Sequence, residues 1–226
     1  MNKALLAGVA AVALVGAGAA HAGNIVLTGH DNDFHLPITG NALAALTAEF
    51  SFVRNGSALP VLVLDDSKIG SELVNAATTI LGAANVVHVD PVNVTAADFD
   101  ITKYSAFAVA SVTSCGGCDN TPADIAAITA QSAAIATFFN DGGGILGLAG
   151  ANDPSAYAYV PEAATNPGGS PPRTGYVQTA AGAILGLPAV DGDTTHNFFD
   201  EPGTGGLSAS YVVTERLRDP ATGTPE

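Results

Sequence analysis

The sequence predicts an α/β domain: a mostly parallel β-sheet with helices on both faces. Three observations carry this reading. Short runs of Val, Leu and Ile recur along the chain, as in Pro60 to Leu64 (PVLVL), with no polar residue inside them. Such runs fit strands buried on both faces. Segments with apolar residues three and four apart lie between the runs, which is helical spacing. Gly, Asn, Asp and Pro punctuate the joints. Strands and helices that alternate in this way form right-handed β-α-β units.

Asn24 to Thr28 opens the domain as a strand and ends at Gly29. Asn41 to Val53 carries Leu43, Leu46, Phe50 and Val53 at helical spacing, and Asn55-Gly56 stops it. Pro60 to Leu64 is the second strand. Ser71 to Leu81 is a helix through Leu73, Val74, Ala77, Ile80 and Leu81, with Gly82 as its C-cap. Asn85 to Val89 and Tyr104 to Val112 are further strands. Thr121-Pro122-Ala123-Asp124 is a helix start, with a Thr cap, Pro at the first helical position and an acid at the third. That helix is expected to run through Ile125, Ile128, Ile135 and Phe138 to Asn140. Gly144 to Leu148 is the fifth strand. The set describes an open sheet of the Rossmann or flavodoxin type. Beyond Ala151 the pattern weakens into a loop-rich excursion over 152–206. Tyr176 to Leu185 is expected as a short helix within it. Ala209 to Leu217 reads as a last strand, alternating at Tyr211, Val213 and Glu215, and residues 219–226 as a loose tail.

Composition narrows the function. Of 226 residues, 7 are Lys or Arg and 21 are Asp or Glu, a formal net charge of −14. That balance argues against nucleic acid and anionic membrane surfaces as partners. An apolar fraction of 47% with few charges excludes a disordered chain. Lys3, the apolar run Ala4 to Ala19 and the small-x-small Ala20-His21-Ala22 together read as a secretory signal peptide, cut after Ala22. The run is short for a bilayer span, at roughly 16 residues against about 20. The expected mature protein is one domain, 23–218, secreted or periplasmic and without a membrane span. The style of the leader is bacterial.

Ligands of open α/β sheets collect beyond the C-terminal ends of the strands. Those ends carry His30-Asp31, Asp65-Asp66, Asp90, Ser114-Cys115 and Ala149 to Asn152. His30, Asp31, Asp65, Asp66, Asn152 and His196 are the candidate ligand-binding residues. No G-x-G-x-x-G fingerprint follows the first strand and no P-loop lysine is present, which argues against nucleotides. His30 to His35 also concentrates oxygen and imidazole donors, and Asp191 to His196 repeats the theme. Asp31, Asp33, His35 and Asp193 are therefore the candidate ligands of a divalent metal, Ca²⁺ or Zn²⁺. Asp, Asn and Gly also populate turns for backbone reasons alone. Cys115-Gly116-Gly117-Cys118 is read as a loop-closing disulfide in an exported chain. A redox pair and a two-cysteine metal site stay open beside it, though the neighbouring Asp119 opposes a reactive thiolate.

The Gly-rich strand Gly142 to Ala151, entered from a helix ending Phe138-Phe139-Asn140-Asp141, resembles the class I glutamine amidotransferase-like superfamily. The opening Ile25 to Gly29 with Phe34-His35 is similar to its trehalose-utilisation-type (ThuA-like) branch. The resemblance implies an amidotransferase-like fold over about 24–151, with a sharp turn after the fifth strand that holds the nucleophile. Here that position falls on Ala149, whose methyl group cannot attack a carbonyl or move a proton. His196 falls in the late-chain region where the superfamily keeps a histidine. The expectation is a non-catalytic domain that binds a small ligand at the strand ends, with carbohydrate suggested by the resemblance alone. A metal-dependent hydrolase using His30, Asp31 and Asp33, and a structural or adhesive cell-surface module, are the alternatives.

Overall fold

A computed structural model describes residues 9–14, 22–34, 41–66, 72–113, 120–166, 172, 174–191, 195–220 and 222. Five strands run parallel: β2 (Ile25–Thr28), β3 (Val61–Leu64), β4 (Val86–Val89), β5 (Ala106–Val109) and β6 (Gly144–Gly147). Their spatial order is β4-β3-β5-β6-β2. The α/β class with a mostly parallel sheet is therefore present. Three antiparallel pairings extend the sheet past β2, through β1 (Val9–Leu14), β8 (Val212–Leu217) and β7 (Tyr176–Gln178). Residues 9–14 lie inside the segment read as a leader, and here they form a strand between β2 and β8. Among the described residues no helix is long and apolar enough to cross a membrane.

The period of two along each strand sorts side chains onto two faces. Ile25, Leu27, Leu62, Leu64, Phe107, Val109 and Ile145 join one core, packed beneath α3 (Pro122–Thr129) and α4 (Ser132–Asn140). Val26, Val61, Val63, Ala106, Ala108 and Leu146 join the other, beneath α1 (Ala42–Arg54) and α2 (Glu72–Leu81). Small alanines on β5 allow the second helix pair to lie close. Phe99, Phe107 and Phe138 fill the first face edge to face, with centroids 5.1 and 6.5 Å apart.

Helix termini follow their local chemistry. Asn55 ends α1 in the left-handed region at φ 48°. Thr121 and Asp124 form a reciprocal capping box at the start of α3. The single helix expected over 122–140 is two. Gln131, at φ −98° and ψ 10°, turns the chain between them. Residues 129–134 carry no large apolar side chain, so packing does not hold one axis through them. The short helix expected at 176–185 is also corrected. Tyr176–Gln178 pair with β8, and Thr179 then caps α5 (Ala180–Leu185) by accepting from the Gly182 N–H. The excursion 152–206 thus contains regular elements. Its turns over 151–160 send Tyr157 and Tyr159 into the core.

Candidate functional site

The C-terminal ends of β2, β6, β5 and β3 form one polar edge. β2 feeds His30, Asp31, Asn32 and Asp33 into it, and all four are buried. His30 lies against Glu215 of β8 through Nε2. A carboxylate only accepts, so Nε2 carries the proton. Nδ1 faces the Thr195 hydroxyl at 3.0 Å, and the ring stands edge-on to Tyr176 at 5.7 Å. The other Glu215 oxygen accepts the Val190 N–H at 2.8 Å. Asp31 Oδ2 lies 3.7 Å from His196 Nε2. Asn32 donates to Glu49 Oε1 of α1 at 3.5 Å, while among the described residues Asn32 Oδ1 and Glu49 Oε2 find no hydrogen-bond partner.

Asp33 extends the row: its Oδ1 accepts from Ser111 Oγ, beyond β5, at 3.4 Å. Farther along, Asn120 accepts the Asp66 N–H at 2.8 Å and donates to Leu64 O and Ala110 O. Asp65 turns the other way. Its Oδ2 accepts the Val74 N–H of α2 at 3.2 Å, and its carbonyl meets His88 Nε2 at 2.8 Å. Phe34, a large apolar side chain beside this edge, is 38% exposed.

Compared with family models, curated proteins and solved structures, the chain matches none.

The sequence-predicted residues therefore fall into two groups. His30, Asp31 and His196 meet at the end of β2. Asp65 and Asp66 sit at the end of β3, with β5 and β6 between, which is on the order of 14 Å at the usual strand spacing. The two groups do not meet, because β3 is not a neighbour of β2. Asn152 is exposed and takes no part in the row. His35, Asp193, Cys115 and Cys118 lie outside the described residues. Among the described residues no three His, Cys, Asp or Glu are placed to hold a metal ion. Asp31 and Asp33 instead face His196 and Ser111. Ala149 is fully buried; its N–H donates to His30 O, and its carbonyl accepts from the Val112 N–H at 2.7 Å. The turn that follows is not the expected strand-to-helix bend at this residue. The left-handed residue is Ala151, at φ 40°, and turns rather than a helix come next.

Glu49, Glu215 and Asn120 are additions that the sequence reading did not single out. Two signals were available. Glu215 alternates in phase with Tyr211 and Val213, which places it on the inward face. Glu49 sits three residues after Leu46 and four before Val53, on the buried stripe of α1.

Burial raises the Glu49 carboxyl from 4.5 to about 7; His30 opposes the shift and Glu215 reinforces it. Burial likewise lifts Asp65 from 3.8 to about 6, against the Val74 N–H and His88. A carboxyl with a raised folded pKa binds more protons folded than unfolded. Its contribution is fully present below the unfolded value and is lost as pH rises through the folded one. The Tm is therefore expected to fall between about pH 4.5 and 7, and Glu49→Gln to flatten that fall. At about 1.4 kcal/mol per unit, the Glu49 share is on the order of 3 kcal/mol. Thermal melts at pH 5 and 8 check this; an unchanged slope in the variant refutes it.

Proposed function

We propose that this is an exported, non-catalytic binding domain whose strand C-terminal edge takes a small polyhydroxylated ligand, a carbohydrate. It is delivered by a leader removed after Ala22, and it works in the periplasm or at the cell surface. The observation that carries the reading is a pair of buried acceptors, Asn32 Oδ1 and Glu49 Oε2, without a hydrogen-bond partner among the described residues. Acceptors without donors call for a partner rich in hydroxyl groups. Phe34, partly exposed beside this edge, offers apolar surface to a sugar ring. The resemblance to ThuA-like proteins supports the same ligand class. The metal-hydrolase alternative has less support, because both ring nitrogens of His30 are engaged inside the protein. Calorimetry against a panel of neutral and acidic oligosaccharides tests the proposal. One class is expected to bind saturably, and Phe34→Ala and Asp33→Asn to weaken it at least tenfold without lowering Tm. Silence across the panel from folded protein refutes it.

A further inference from the structure

The position between β2 and β8 is one strand wide, and its occupant is the segment with the weakest claim to permanence. Val12 of β1 pairs with Leu27 on one side and Val213 on the other, antiparallel to both. Side chains past the end of β1 also tie the two walls to each other. Ile25 and Leu27 of β2 share a core with Tyr211 and Val213. His30 and Glu215 join the walls directly, and Thr195 and Val190 brace that pair. Taking β1 away would leave two facing edges, roughly 10 Å apart between strand axes, each presenting unpaired N–H and C=O groups. Facing edges of that kind accept an added strand through main-chain hydrogen bonds.

The route to vacancy is built into the chain. Gly23 is buried; its N–H donates to Phe139 O at 2.8 Å, and a Cβ on it would overlap Gly143 O. The Ala22–Gly23 bond is thus packed against the corner before β6 in the folded chain, so a peptidase must cut it before the sheet forms. The processed chain then folds with the position open. We propose that the gap between β2 and β8 is a peptide-binding site for an extended segment of small apolar residues, antiparallel to both walls, with residues 9–14 as its resident occupant. The Val9–Leu14 sequence, VAAVAL, states the chemistry that fits. This inference rests on the leader reading only for how the position empties, and it is independent of the ligand at the strand ends.

The test starts from the folded full chain with a site-specific protease sequence placed within residues 15–21. After cutting, the N-terminal fragment is expected to stay with the body at stoichiometry, or to exchange with a labelled peptide of residues 8–15 carrying terminal lysines. Hydrogen exchange of the β8 amides is expected to quicken at least tenfold when the fragment is stripped, and to slow again on adding peptide. A Val12→Pro peptide, lacking a central donor, is expected to bind at least tenfold more weakly. If the body unfolds on stripping and the peptide refolds it, the site also stands. Release of the fragment with β2 and β8 still protected, and no rebinding, would mean that the walls close on each other and would overturn the proposal. Unfolding that the peptide does not reverse would make residues 9–14 an inseparable part of the core, and would overturn it too. Sugar binding through Phe34 and Asp33 is read separately, so failure of either proposal leaves the other testable.

Discussion

Glu215→Ala is expected to destabilise the domain by about 3–5 kcal/mol, the usual cost of removing one partner from a buried pair. The carboxylate serves two donors, His30 Nε2–H and the Val190 N–H, and both lie where water does not reach. Alanine leaves both without an acceptor, and each buried orphan costs about 1–3 kcal/mol. At roughly 2–4 °C per kcal/mol for a chain of this size, Tm should fall by on the order of 10 °C. His30→Ala should cost a similar amount, because it strands the carboxylate. The double variant should cost much less than the two losses added, with a coupling of at least ~2 kcal/mol. Urea unfolding of the four proteins measures the cycle. Additive losses, or a single-variant loss under about 1 kcal/mol, would show that the pair is not the brace described.

Gly144→Ala is the second large effect. A Cβ at Gly144 would overlap the backbone carbonyl of Val53 at the end of α1, and no side-chain rotation relieves it. Either α1 lifts off the sheet or β6 shifts against β2 and β5, at about 3 kcal/mol or more. Gly147→Ala is the matched comparison. There the new methyl would meet the Tyr159 hydroxyl at 2.5 Å, the far end of a side chain that can give. Its cost should be smaller, about 1–2 kcal/mol. Denaturant midpoints decide: a Gly144→Ala protein as stable as the parent would mean that α1 does not press on the strand.

The parallel core was legible because each strand is a nearly pure apolar run and each joint carries turn chemistry. Leu62 and Val63 read as buried on both faces, and both are. The break at Gln131 and the strand at Tyr176 were not legible. One depends on the absence of anchoring side chains, the other on a partner strand some forty residues away. The site was half legible. His30 and Asp31 follow directly from the end of β2, while the nearness of His196 to Asp31 depends on a chain segment far away in sequence. Strand order, set by long-range pairing, decides that Asp65 stands apart from them. Glu49 and Glu215 were hidden by their charge, since acidic side chains are rarely buried without a partner. Their periodic positions pointed inward all the same.

The turns after β6 carry a further implication. Tyr157 donates to Thr28 O at 2.9 Å, and its ring lies tilted against Phe199 with centroids 5.1 Å apart. Asn197 accepts the Gly150 N–H and the Tyr157 hydroxyl together. These groups roof the bend beyond Ala149, whose own amide and carbonyl are already committed on either side. Opening this bend would have to break the bonds to β2 and to Asn197 together.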